Sequence, residues 1–477
     1  MADAMRNHDE QPMKWVEALA ALHGSEFMEY LHGCRWFGGK AQTLRGVQVM
    51  EELSVGEAGK LILLQADYHG APSETYLLPL QLAAEDGVLV DALDDEDFRA
   101  ALLKMIVNEQ RLRCGSGELV GSCCAEFKAE AKEMGQLASR VLEVEQSNSA
   151  ILYDDRFFLK IFRRPELGEN PDVELLRYFS EGNKFANVPG YCGAIEYRGQ
   201  GEKPRVLALL ATNVPNEGTA WASTLKALGQ WQDEAVGVHH LKRVRLLGKR
   251  TAQMHLALAV PTEDPDFAPE AITEAYRNSL CQNMAEATRH MMELLEQKVD
   301  ALPDGIRGEV VDLLRREQEI LQRHSRLMDG QVNAMRIRIH GDYHLGQVLD
   351  TGDDFIIIDF EGEPARPLNE RRTKHSPLRD VAGMLRSFDY AAHTAMSQRG
   401  EDAWVGRVSG DFLNAYLTTV KGTSFLPTND QELQTLLDVC LLEKAVYEVC
   451  YELNNRPDWV AIPLRGITRI LDRRAGR

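Results

Sequence analysis

Between His340 and Glu361 the chain carries three oxygen-bearing side chains whose order suits transfer of a phosphoryl group. Asp342 lies in the run His340-Gly341-Asp342-Tyr343-His344-Leu345-Gly346-Gln347, and Asp359 closes the next apolar run in Asp359-Phe360-Glu361. Such chemistry needs one carboxylate to orient the attacking hydroxyl and take its proton. It also needs an amide or carboxylate five residues on to hold magnesium, and an Asp after the next strand to hold magnesium against the phosphates. The transition state asks for alignment and charge neutralisation more than for covalent help. Asp342 is therefore the expected catalytic base, and Gln347 and Asp359 are the expected Mg2+ ligands. Either motif alone also reads as a polar turn capping a buried strand; the two in this order, across a hairpin, point to catalysis.

The phosphoryl donor would be ATP, and its α- and β-phosphates call for a lysine. Lys160, in FFLKIFRR, ends a predicted strand, and Glu174 in the helix beginning near Pro171 is its expected partner. A surface lysine and a surface helix glutamate are the alternative. Gln146-Ser147-Asn148-Ser149 occupies the place of a Gly-rich phosphate loop without its glycines, so Ser147, Asn148 and Ser149 would offer hydroxyl and amide groups instead. ALLATNVPNEG, residues 208–218, is either a hinge that meets adenine or an ordinary interdomain loop.

These groups need two kinds of scaffold. Short β-like runs from Val47 to about Asp91 (KLILLQADY, ETYLLPLQL, GVLVDAL) read as a small sheet domain, and VLEVEQSNSAILYDDRFFLKIFRR adds two strands. Beyond Asn213 long helical segments take over, interrupted by the strand pair RIRIHGDYHLGQVLD and DFIIIDFEG around the turn Thr351-Gly352-Asp353. The expected fold is α+β and protein-kinase-like: residues 1–95 a β-rich front domain, 96–212 an N-lobe, and 213–477 a mostly helical C-lobe carrying the catalytic hairpin.

Bulk properties agree. At 477 residues the chain exceeds one ordinary domain, and its net charge of −19 disfavours nucleic acid and anionic membranes as partners. Eight cysteines without C-x-x-C spacing are expected to be buried free thiols. The N-terminus lacks an apolar signal core and no apolar run could cross a bilayer, so a cytoplasmic location is expected.

RIHGDYHLGQVL, DFEGEPARPLNERRTKHSPLRDVAGMLRSFDYAA and EKAVYEVCYELNNRPDW closely resemble the bacterial maltokinases, and WFGGK at 36–40 is similar to their N-terminal region. The resemblance spans essentially the whole chain. It implies an N-terminal cap domain and ATP-dependent phosphorylation of maltose at the anomeric hydroxyl, giving maltose 1-phosphate for α-glucan synthesis from trehalose. It further implies a monomer or weak homo-oligomer with a trehalose synthase as a possible partner. It maps the base onto Asp342 and the metal ligands onto Gln347 and Asp359.

The residues themselves offer an acceptor face. On a helix from Leu441 to about Asn454, Leu442, Val446, Val449 and Leu453 form a core stripe, while Lys444, Tyr447, Tyr451 and Asn455 form a second. Aromatic faces beside polar groups suit a disaccharide, although the tyrosines could equally close the core. Arg456 and Trp459 follow, and either could line the acceptor pocket. His344 either meets the sugar or lies beneath the catalytic turn. Arg366, Arg371, Arg372, Lys374 and Arg379 are expected mostly to pair with acids such as Glu363, Glu370 and Asp380, and Asp380 to act as a structural acceptor under the catalytic loop. WFGGK is either a docking feature or a core anchor. An amino-sugar kinase using Glu443, Glu448 and Glu452, and a silent regulatory module, are the competing functions.

Overall fold

The computed structural model describes residues 24–473 except 57–58, 84–87, 132–136, 143–146, 183 and 397–399, together with Trp15, Ala18, Leu19 and Leu22. Gln146 of the expected phosphate loop lies outside the described residues. The chain divides into two units, residues 1–181 with 189–214, and residues 182–188 with 215–477. The change at 214/215 falls inside the 208–218 segment.

In the first unit the run Leu61-Ile62-Leu63-Leu64 is apolar at every position, and its strand is buried on both faces. The strands Leu44–Val55, Gly59–Tyr68, Glu74–Leu82 and Leu89–Asp91 form an antiparallel meander. Alternate side chains point to opposite faces of a strand. Leu61, Leu63 and Leu77 join one core, and Ile62, Leu64, Tyr76 and Leu78 join another. The second core also holds Phe37, with Trp36 packed against it, so the aromatics of WFGGK anchor this domain.

The first core is shared with the helix Glu96–Val107 and a seven-stranded antiparallel sheet. That sheet runs Arg111–Cys114, Gly117–Cys123, Tyr191–Gly199, Arg205–Thr212, Phe157–Ile161, Ser149–Tyr153, Ser139–Leu142 across its width. The 95/96 division therefore lies at the start of a helix inside one continuous core. Arg163 ties the two sheets, donating to Asp91 at 3.0 Å while its carbonyl accepts from Leu77 N–H at 2.8 Å.

The second unit is mostly helical. Asp233 caps the helix Glu234–Leu258, and Asn429 caps Asp430–Asn455, each side-chain oxygen accepting two of the otherwise orphaned first N–H groups. The expected long strand before the catalytic run is not formed. Met335–Arg336 pairs only with Glu270–Ala271, and the hairpin ladder is Val348–Asp350 against Phe355–Ile357. Within 338–347 the N–H groups of His340, Gly341 and Leu345 are taken by Asp380 and Ser387 of the helix Leu378–Ala395, and those of Asp342, Gly346 and Gln347 by His340 and His344 of the same stretch. All eight cysteines are free, but only Cys114, Cys192 and Cys440 are fully buried. Among the described residues no helix is long and apolar enough to cross a membrane.

The helices Glu234–Leu258 and Glu401–Thr419 approach so closely at Gly248 that a Cβ there would stand 2.4 Å from the Phe412 carbonyl oxygen. Gly248→Leu should therefore force the helices apart and cost about 1–3 kcal/mol. Urea denaturation measures this, and an unchanged midpoint would refute the close packing.

Candidate active site

The catalytic run is held from below by one carboxylate. Asp380, on the helix Leu378–Ala395 and 1% exposed, accepts the N–H groups of His340 at 2.8 Å and Gly341 at 2.9 Å. Its Oδ2 also lies 3.0 Å from His255 Nε2, and His255 Nδ1 is 2.9 Å from the Tyr416 hydroxyl. Burial alone would raise the Asp380 carboxyl, but His255 and the Gly341 N–H outweigh it and hold its pKa below the usual carboxylate range. The sequence expectation of a structural acceptor holds, whereas pairing with an arginine gives way to backbone and histidine.

Turning the chain over this carboxylate needs Gly341, at φ +86°. His340 then lies with Nε2 3.0 Å from the Ile358 carbonyl and Nδ1 accepting from the Asp342 N–H at 3.4 Å, which assigns the proton to Nε2. The buried Tyr343 reaches Thr251 through its hydroxyl at 2.9 Å, and Ser387 accepts the Leu345 N–H at 3.1 Å.

Asp342 emerges from this support beside Lys444. The ammonium donates to Asp342 Oδ1 at 3.2 Å and to Glu363 Oε1 at 2.7 Å. Burial works against the charged lysine, yet Glu363 and Asp342 outweigh it and hold its pKa above the ordinary range. Burial likewise opposes the Glu363 carboxylate, but Lys444 and Arg366 pull it down to about 2. His344 Nε2 stands 3.9 Å from Asp342, its side chain 41% exposed. Partial burial lowers the His344 pKa against the pull of Asp342. The histidine is thus beside Asp342 and partly open to solvent, not sealed beneath it.

Gln347 and Asp359 meet across the hairpin, the amide donating to the carboxylate at 2.8 Å. Asp359 holds φ +66°, a conformation costly for any residue but glycine and found where a side chain must be aimed. Oxygens of Asp359 and Glu361 lie within 4.8 Å of one another. Two carboxylates and an amide oxygen are hard donors that fit Mg2+. The hairpin is pinned by the Glu234–Leu258 helix. Arg243 reaches Asp350 at 2.6 Å with its guanidinium 3.9 Å above the Phe355 ring, and Arg250 holds both Asp354 oxygens at 2.8 and 2.6 Å.

The expected acceptor residues lie along the 430–455 helix. Leu442, Val446, Val449 and Leu453 are buried as the spacing requires. Lys444 lies 5.0 Å from the Tyr447 ring, Tyr447 stacks on Tyr451 with centroids 6.4 Å apart, and the Arg456 guanidinium covers Tyr451 and Trp459 at 5.5 and 4.8 Å. Tyr451 is 45% exposed, so it does not close the core. The three acids expected to serve an amino sugar are already engaged. Glu443 takes Arg379, Glu448 takes Arg386, and Glu452 takes Arg456 and the Tyr390 hydroxyl. Of the arginine run, Arg366 pairs with Glu363 at 2.5 Å and Arg372 with Asp266, while Lys374 pairs with Glu270.

In the first unit Lys160 donates to Asp172 at 2.8 Å, and both are buried, as is Glu174 two residues on. Asp172 was missed because the sequence pattern pointed to the later acid of the same helical turn. Asn148 Oδ1 accepts the Arg163 N–H at 3.3 Å and Ser149 Oγ accepts from Arg163 Nε at 2.8 Å, whereas Ser147 is exposed. His255, Tyr343 and Ser387 gave no spacing signal, since each acts through a fold-dependent contact.

Asp380→Asn should leave one of the buried donors facing an amide N–H, costing about 1–3 kcal/mol and releasing the loop that carries Asp342. Thermal unfolding reads the loss, and an unshifted midpoint would contradict it. Lys444→Met removes one of the two cations that hold Glu363, leaving Arg366, and should cost about 1–3 kcal/mol near neutral pH. Because Glu363 titrates at about 2 when folded and near 4.5 otherwise, its contribution is present above pH 4.5 and lost as pH falls through about 2. The gap between variant and parent should narrow on acidification; a constant gap, from denaturation across that range, would refute the pairing.

Residues 30–94 match the family model of the maltokinase N-terminal cap domain. A glucosamine kinase of Streptacidiphilus jiangxiensis is 26% identical over 350 residues, 70% of this chain and 74% of that protein. One of Mycolicibacterium smegmatis is 24% identical over 346 residues, 70% of this chain and 79% of that protein. The solved structure of a glucosamine kinase in complex with glucosamine, ADP and inorganic phosphate aligns with a TM-score of 0.66 at 19% identity, covering 92% of this chain and 96% of that one. The chain therefore joins a maltokinase N-terminal cap to a protein-kinase-like fold.

Proposed function

We propose that the protein is an ATP-dependent sugar kinase that phosphorylates maltose at its anomeric hydroxyl, releasing maltose 1-phosphate and ADP. The observation that carries the reading is the Asp342 carboxylate, presented on a loop fixed by Asp380 and flanked by Lys444, with Gln347 and Asp359 joined on the adjoining hairpin. In this reading Asp342 accepts the proton of the anomeric hydroxyl as its oxygen bonds to the γ-phosphorus. The bond from that phosphorus to the bridging oxygen breaks, and its electron pair leaves with ADP. Lys444 fixes the base and sets positive charge beside the forming bond. Lys160 would meet the nucleotide phosphates, with Ser147 and its neighbours as the short phosphate loop. Mg2+, held by Gln347, Asp359 and Glu361, would supply charge neutralisation on the phosphate oxygens.

A neutral disaccharide is favoured by the state of the 430–455 helix. An ammonium-bearing sugar wants an uncommitted carboxylate, and Glu443, Glu448 and Glu452 each already hold an arginine. The stacked Tyr447 and Tyr451 offer apolar faces to sugar C–H surfaces. The product would feed α-glucan synthesis from trehalose, as the resemblance to the maltokinases implies, with a trehalose synthase as the supplier of maltose. The second reading is an amino-sugar kinase, favoured by the glucosamine kinases among the relatives.

ADP release measured with maltose, glucose, glucosamine and aminoglycosides separates these readings. Maltose is expected to give the highest kcat/KM; preference for glucosamine would install the second reading, and no release with any acceptor would overturn kinase activity. Asp342→Ala should retain ATP binding by calorimetry and lose about 10²- to 10⁴-fold in turnover. Parent-like turnover would remove Asp342 as the base.

A further inference from the structure

The polar stripe of the helix Asp430–Asn455 continues past the point where a disaccharide ends. Lys444, which touches Asp342, is followed on the same face by Tyr447, Tyr451 and Asn455, so the stripe runs about 16 Å along the helix axis. One hexose ring is about as long as one helical turn, ~5 Å. With its reacting ring in the turn from Lys444 to Tyr447, maltose places its second ring in the turn that ends at Tyr451.

Exposure rises along the same line. The Lys444 side chain is 18% exposed, Tyr451 is 45% exposed and the Arg456 side chain 47% exposed. The stripe is thus shielded beside the base and open at its far end, whereas a pocket limited to two rings needs a wall after the second. Past Tyr451 the chain offers one more platform. Pro457 stops the helix, and the turn Pro457–Trp459 brings Trp459 beside Arg456, whose guanidinium lies 5.5 Å from the Tyr451 ring and 4.8 Å from the Trp459 ring. Glu452 steadies the guanidinium, accepting from Nε at 2.9 Å and from Nη2 at 2.8 Å, while Nη1 on this exposed side chain has no partner among the described residues. Trp459 rests against Tyr390, centroids 6.0 Å apart, and the Tyr390 hydroxyl donates to the same Glu452 at 2.9 Å. Arg456 and Trp459 are therefore held in place before any ligand arrives, which lowers the cost of binding one.

We propose that Arg456 and Trp459 form a subsite for a third ring, and that the enzyme phosphorylates the reducing-end anomeric hydroxyl of short α-linked glucose oligosaccharides such as maltotriose as well as that of maltose. This inference rests on the maltose reading and extends its substrate class. Arg456 Nη1 donates to a hydroxyl of the third ring, and Trp459 meets a C–H face of that ring. Because Glu452 already balances the guanidinium, the platform presents a donor and a ring face with no net charge, which suits a neutral sugar better than an anion. The chemistry is that of maltose. Asp342 takes the proton of the reducing-end hydroxyl as its oxygen bonds to the γ-phosphorus, and the bridging oxygen leaves with ADP, keeping the electron pair. The added ring takes no part in bond making and acts through binding alone.

ADP release by the full chain with maltose and with maltotriose tests the subsite. Maltotriose is expected to match or exceed maltose in kcat/KM. In Arg456→Lys, which keeps a cation for Glu452, and in Trp459→Leu, the maltotriose-to-maltose ratio of kcat/KM should fall by about ten-fold. The ratio cancels any loss common to both sugars, and Trp459→Leu keeps the test decisive if Arg456→Lys does not fold. A fall in one variant alone assigns the third ring to that residue. Release with maltose but not with maltotriose, or a parental ratio in both variants, overturns the subsite and leaves the maltose reading standing. No release with maltose removes that reading, and the subsite with it.

Discussion

The buried Asp380 carboxylate is the constraint on which the site depends. A charge with 1% exposure is tolerable only if its lone pairs are filled, and two backbone N–H groups and an imidazole fill them. Because the two N–H groups belong to consecutive residues, satisfying the carboxylate also fixes the direction in which the chain leaves toward Asp342. The same demand explains why the run before Asp342 is not a strand: a ladder would take the N–H groups that Asp380 needs. Stability and catalytic geometry thus share one set of hydrogen bonds, and neither can be changed alone.

From that anchor the arrangement spreads by fixed contacts. His340 passes the constraint to the Ile358 carbonyl, one residue before Asp359, and so couples the loop to the hairpin. The hairpin is held from its far side by Arg243 and Arg250, whose guanidinium groups span Asp350 and Asp354. The Arg250–Asp354 pair is bidentate and therefore directional, so it sets the hairpin's orientation as well as its energy. The loop and the hairpin must be placed independently and still agree to within a fraction of an ångström for phosphoryl transfer, and His340 is where the two supports meet.

The parts legible in the sequence were those whose spacing is itself the signal. Leu442, Val446, Val449 and Leu453 follow the helical period and are buried as it requires, and the spacing of Gln347 and Asp359 across a hairpin anticipated their hydrogen bond. The double burial of residues 61–64 was visible as the unbroken apolar run LILL, although its meaning, two cores on two faces, was not. What stayed hidden depends on distant segments. His255 and Asp380 are 125 residues apart, and Lys444 and Asp342 are 102 apart. Neither pair leaves a local pattern, and Lys444 was singled out only as part of a helical stripe. Asp172, which gives no spacing signal of its own, accepts from Lys160 because the first turn of a short helix meets the strand there, which periodicity alone does not fix.

Charge commitment gives the acceptor side its character. In a chain of net charge −19 uncommitted carboxylates would be expected to abound, yet along the 430–455 helix each acid facing inward holds an arginine. Arg379 is largely buried and is held by Glu443, so releasing that carboxylate to bind a cationic sugar would leave an uncompensated guanidinium, a cost of several kcal/mol. Lys444 adds a positive charge beside the base, which would repel an ammonium group there and attract the developing negative charge on a hydroxyl oxygen. A neutral polyol meets neither penalty. The carboxylates that sequence composition offered to an amino sugar are thus the same groups that packing has already used to build the helix's neighbours.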